Sequence, residues 1–116
     1  HNGCVLDPLE GGVVISELSL GKKKGATRAA TQYVRLLNQG VTTQCLDGYR
    51  IETGNTVIRF DPGTCLAPGQ TWTLRGGKGK NTSSDRFLNR KVSMLWTNGS
   101  LKLISDREQV MAERAW

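Results

Sequence analysis

Tyr33-Val34-Arg35-Leu36-Leu37-Asn38 is the stretch on which the reading of this chain turns. Val34 and Leu36 fall on one side of an extended backbone, and Tyr33, Arg35 and Leu37 on the other. That period of two marks a strand with one buried face. The same signature recurs in both directions along the chain. Upstream, Val13-Val14-Ile15-Ser16-Glu17 is β-branched and follows Gly11-Gly12. Downstream, Tyr49-Arg50-Ile51-Glu52 and Thr56-Val57-Ile58-Arg59-Phe60 flank a Thr53-Gly54-Asn55 turn and read as a hairpin. Thr71-Trp72-Thr73-Leu74-Arg75 alternates again and places Trp72 with Leu74 on the core side. Val92–Trp96, Ser100–Ser105 and Gln109–Ala112 complete the set. Asp61-Pro62-Gly63-Thr64 and Ala67-Pro68-Gly69-Gln70 carry turn chemistry between strands, with Pro setting φ and Gly freeing it.

Helical signal is weak. Ala26–Gln32 has room for one turn but no sustained apolar stripe. Gly76–Asp85 reads as a long polar loop, expected to be mobile. Many short strands with turns between them predict an all-β chain, an antiparallel β-sandwich. Val34, Leu36, Ile51, Leu74, Trp96 and Leu101 are its expected inter-sheet core. The 116 residues amount to one domain, 1–116, with a core of about 12–112.

Composition narrows the function. The only histidine is His1, which removes histidine-based catalysis and most His/Cys zinc sites. The carboxylates are spread singly, with no paired acid and base. Gly76-Gly77-Lys78-Gly79-Lys80 lacks the Ser or Thr after lysine, and the following helix, that a phosphate loop needs. The chain is therefore expected to be no enzyme and to hold no metal or cofactor. No apolar run is long enough to span a membrane and no signal-peptide pattern opens the sequence.

Cys4, Cys45 and Cys65 are odd in number and widely spaced, which predicts reduced, metal-free thiols in a reducing compartment. An extracellular Cys45–Cys65 bridge is the alternative. Two formal glycosylation sequons, Asn81-Thr82-Ser83 and Asn98-Gly99-Ser100, have no meaning inside a cell.

The order of these elements resembles the lamin tail domain family. Val14-Ile15-Ser16-Glu17 followed by Tyr33–Gly40 is similar to its opening, a short strand ending in Glu and then an aromatic-Val-Arg-Leu strand. Leu46–Ile51, Arg59-Phe60 and Leu66-Ala67-Pro68-Gly69-Gln70 match its middle. Trp96, Asn98–Leu101 and Asp106–Val110 match its close. Two departures stand out: Tyr49 replaces a common Trp, and the Glu17–Tyr33 connection is longer and carries Lys22-Lys23-Lys24. The resemblance implies an immunoglobulin-like β-sandwich of about nine strands. It also implies a non-enzymatic structural module that binds protein partners at a nuclear or cytoskeletal scaffold, as in nuclear lamins and other intermediate-filament proteins. The alternatives are an accessory module anchoring a larger, bacterial or secreted protein to a surface, and a basic nucleic-acid-binding domain.

With no acid-base machinery, function must lie in contacts. The net charge of +6 favours acidic partners, with non-specific DNA contact as a further possibility. Arg59 falls on an outward strand position, and the resembling family keeps an Arg before the Phe there. Lys22, Lys23 and Lys24 lie on one Gly-bounded loop; Lys78, Lys80, Arg86, Arg90 and Lys91 lie in or beside another. Arg59 with one of these loops is the expected binding surface. Its rival role is a cross-strand ion pair with an acid such as Glu52.

Overall fold

A computed structural model describes residues 12–21, 25–54, 56–90, 95 and 99–116, with backbone alone for 25–27. The elements are β1 (Val13–Ser19), α1 (Gly25–Thr31), β2 (Tyr33–Asn38), β3 (Gln44–Cys45), β4 (Arg50–Thr53), β5 (Thr56–Arg59), β6 (Cys65–Leu66), β7 (Thr71–Arg75), β8 (Asp85–Phe87), β9 (Ser100–Ile104) and β10 (Val110–Ala115). Two four-stranded sheets, β1-β2-β7-β8 and β10-β9-β4-β5, pack their apolar faces together, and β3-β6 forms a small third sheet. All pairings are antiparallel except β7–β8.

The period of two in the sequence is the period of burial. In β2, Val34, Leu36 and Asn38 are buried while Tyr33, Arg35 and Leu37 are half-exposed. Opposite them on β7, Leu74 pairs with Val34 and Trp72 with Leu36. The second sheet supplies Ile51, Ile58, Leu101 and Leu103. The sheets meet at the Phe60 and Trp72 rings, whose centroids are 4.7 Å apart. Five of the six expected core residues are buried; the sixth, Trp96, lies outside the described residues, as does most of the expected strand Val92–Trp96.

Polar groups inside this core are fully engaged, as burial demands. The Gln32 amide donates to the carbonyls of Leu20 and Leu95 and accepts from the Leu95 amide. Its own carbonyl accepts from Gly76. The short helix α1 thus docks against the Gly76-Gly77 backbone, and a Cβ on Gly76 would stand 2.3 Å from the Ala29 carbonyl oxygen.

Two expectations change. Gly76–Asp85 is not loop throughout, because Asp85 begins β8, which runs parallel to β7. The preceding loop is pinned: the Phe87 amide donates to Asn81 Oδ1, and the Gly79 amide donates to Asn89 Oδ1. The second change concerns the thiols. Cys45 and Cys65 are not reduced but joined in a disulfide. Pairing of β3 with β6 sets the two residues directly opposite each other, Cα to Cα 4.0 Å. That geometry comes from a long-range pairing that residue spacing does not reveal. Cys4 lies outside the described residues.

Candidate docking surface

The candidate site is the margin where β5 and β8 face each other, together with the outer face of the second sheet. Alternation turns Ile58 inward and leaves Arg59 exposed. On β8, parallel register aligns Arg86 with the inward-facing Leu74. Arg86 therefore reaches across to the other sheet: its Nη1 donates to the Arg59 carbonyl at 2.7 Å and lies 3.8 Å from Asp61. Arg90 also reaches β5, with Nη1 donating to the side-chain hydroxyl Thr56 Oγ1 at 3.1 Å. Two arginines thus tie β5 to the β8 side of the molecule, and Arg86 occupies one main-chain acceptor of β5, an edge strand otherwise open to stray pairing.

On the outer face of the second sheet, Arg59 stands directly opposite Arg50. Like charges in register repel, and two carboxylates offset this. Arg50 Nε bonds Glu52 at 2.5 Å, and Arg50 Nη1 bonds Glu108. The Arg50 guanidinium is held above its ordinary value, first by the Glu108 hydrogen bond and then by the Glu52 one. Glu108 is correspondingly pushed down, first by its hydrogen bond from Arg50, with the charges of Arg50 and Arg59 adding to the effect. Glu52 lies in register with Val57 and pairs with Arg50, so the cross-strand partner considered for Arg59 is engaged elsewhere. Among the described residues Arg59 makes no ion pair of its own.

Glu108 sits in the turn between β9 and β10. Its amide donates to the Ser105 carbonyl, and the Ser105 amide donates to the Gln109 carbonyl. Glu108 takes φ +63°, the position that glycine usually fills in such hairpins. Nearby, burial raises the Tyr49 phenol, with the charge of Asp106 adding and that of Arg107 opposing.

The outer face of the first sheet has a different character. Arg35 bonds Glu17 at 2.5 Å and lies over the Tyr33 ring, and Arg75 bonds Asp85 at 3.0 Å and lies over Phe87. At its end an open cleft of about 520 Å³ is bordered by Tyr33, Arg75, Phe87 and Lys78. Lys78 and Lys80 are exposed and flank Gly79, whose missing side chain leaves room for the Phe87 ring.

Of the expected site residues, Arg59, Arg86 and Arg90 therefore share one margin, and Lys78 and Lys80 lie in the loop leading to β8. Lys22, Lys23, Lys24 and Lys91 lie outside the described residues. Sequence reasoning missed Arg50 and Glu108 as partners. The available signal was a turn, Asp106-Arg107-Glu108-Gln109, with no glycine where one is usual. Among the described residues no three His, Cys, Asp or Glu side chains group to hold a metal, and no helix is long and apolar enough to cross a membrane.

Two packed sheets, a core drawn from both, and charged outer faces define an immunoglobulin-like β-sandwich. The particular family follows from comparison with known proteins: residues 8–116 match the family model of the Lamin Tail Domain. The chain belongs to that family. Curated proteins yield no match.

Proposed function

We propose that this chain is a non-enzymatic docking module that takes an acidic protein partner on the β5 margin, with Arg59 at the centre. One observation carries the reading. Arg35, Arg50, Arg75 and Arg86 each close an ion pair, whereas Arg59, like Arg107 and Arg114, is exposed and closes none among the described residues; of these three only Arg59 stands in register with a second arginine, Arg50. A guanidinium in that state offers two parallel donors to a carboxylate, which lysine cannot reproduce. Lys78 and Lys80 add exposed positive charge, and Lys22–Lys24, Arg90 and Lys91 add to the basic balance of the sequence. Membership of the lamin tail family supports a reading in which such a module works at a nuclear or cytoskeletal scaffold.

The test is charge reversal. Arg59→Glu should weaken retention on immobilised poly-glutamate while the melting temperature stays near the wild-type value. Loss of folding, with normal retention per folded molecule, would show that Arg59 is structural. Tighter binding to duplex DNA than to poly-glutamate, falling steeply with salt, would instead favour a nucleic-acid-binding domain.

A second reading has its own support. The Cys45–Cys65 disulfide favours an accessory anchoring module in an exported protein, since such bonds persist in oxidising compartments. Alkylation of thiols at the moment of native cell lysis separates the placements. A linked Cys45–Cys65 peptide supports export, and two alkylated cysteines return the domain to a reducing compartment.

A further inference from the structure

We propose that Arg50 and Arg59 together form a binding site for an acidic side chain of a partner protein, and that Glu108 is the built-in occupant which the partner displaces. The inference rests on the docking reading above and deepens it. Three observations lead to it.

The first is the register. Arg50 and Arg59 are direct cross-strand neighbours on the outer face of the second sheet, an arrangement that repels unless an anion lies against it. Glu52 bonds the Nε edge of Arg50 and fixes that guanidinium in place. Arg50 has 16% of its side chain exposed and is bonded to carboxylates at both Nε and Nη1.

The second is what bonds Arg50 Nη1 now. It is a carboxylate, Glu108, whose side chain is 70% exposed and so sits on the surface rather than in the fold. The charge of Arg59 acts on the same carboxylate. A carboxylate already resting there identifies the ligand chemistry: a glutamate or aspartate from another protein makes the same bonds.

The third is backbone cost. Glu108 has φ +63° in a hairpin turn where glycine would be relaxed. An L-residue other than Asn or Asp seldom occupies that region. The turn hydrogen bonds do not call for a side chain at this position: they run between Glu108 N and Ser105 O, and from Arg107 N and Gln109 N to Ser105 Oγ. The glutamate contributes its carboxylate to Arg50 and nothing to the turn.

The probe is fluorescein-labelled hexaglutamate, followed by anisotropy at low ionic strength against the 116-residue chain. Glu108→Gly suits the backbone, so the fold should persist with an unchanged or higher melting temperature. Binding should tighten about two- to fivefold, the size of an exposed charge-pair contact. Glu113→Gln makes the same charge change on exposed β10 and should leave binding as it was. Adding Arg59→Gln to Glu108→Gly should remove the gain.

The proposal is overturned by no tightening in Glu108→Gly, by equal tightening in Glu113→Gln, or by a gain that survives Arg59→Gln. Duplex DNA gaining more than hexaglutamate overturns it in favour of a phosphate ligand. Wild-type binding that needs Arg59 but ignores Glu108→Gly defeats this inference and leaves the docking reading standing. Binding indifferent to Arg59 defeats both.

Discussion

The side-chain amide of Asn38 donates to the main-chain carbonyl of Leu66 at 2.8 Å, in the buried interior and 28 residues away in sequence. The same nitrogen donates to the Thr42 carbonyl, while Oδ1 accepts from the Gly40 amide. The Asn38 main chain exchanges bonds with Gly69 and Gln70. One residue thus ties the end of β2 to the β3–β6 pair and to the turn before β7.

Asn38→Ala should therefore be costly, because it leaves a buried acceptor unsatisfied. A loss of about 1–3 kcal/mol is expected. Urea unfolding measures it, and an unchanged midpoint would mean that Asn38 is not the tie described.

The Cys45–Cys65 bond closes a loop of 20 residues. Such a loop restricts the unfolded chain, and the bond should contribute about 3 kcal/mol. Paired unfolding curves with and without reductant test this. The reduced protein should remain folded, because Leu46 and Leu66 are held in the core independently.

Gly76 and Gly63 should respond to alanine for different reasons. Alanine at Gly76 meets the backbone of α1, since the Ala29 carbonyl cannot swing aside as a flexible side chain would. Overpacking of that kind costs about 1–3 kcal/mol or more. Gly63 has open space around it, and only its φ of +83° resists a side chain, at about 1–2 kcal/mol. Thermal melts of the two variants should show the larger loss at Gly76.

Glu108 also gives stability a dependence on acid. Its folded pKa lies below its unfolded one, chiefly through the Arg50 hydrogen bond. The contribution is present above the ordinary glutamate value of 4.5 and is lost as pH falls through the lower folded value. Melting temperatures of wild type and Glu108→Gln should converge as pH drops through that window. A gap that is constant across it would refute the assignment.

Where local pattern decides structure, the sequence is readable. β2 and β7 have the bounds that alternation predicts, and Val34, Leu36, Ile51, Leu74 and Leu101 are buried as expected. Arg59 faces solvent by the same logic. Elements decided by distant partners were not readable. β3 and β6 are two residues each, too short to show a period, and they exist because they pair with each other. β8 is three residues, Asp-Arg-Phe, too short to show a period, and its register with β7 turns Arg86 inward, so a residue expected on a binding surface also fastens the two sheets. The resemblance motifs Tyr33–Gly40 and Leu66–Gln70 are likewise structural in part, since Asn38 bonds both Leu66 and the Gly69-Gln70 backbone.

The strand orders have a consequence for synthesis on the ribosome. The first sheet uses residues 13–87, whereas the second needs β9 and β10 from the last part of the chain. A nascent chain can complete β1-β2-β7-β8 while the β4–β5 hairpin still waits for β9. Through that interval the side of β4 that will receive β9 is an open template, and Ile51 has no Leu103 beside it. Because Arg86 and Arg90 come from residues already made, they can close the opposite side, along β5, in advance. Of the two sides of the β4–β5 hairpin, the exposed one is then the one that the chain's own next strand will fill, which limits the risk of mispairing at this hairpin between neighbouring nascent chains.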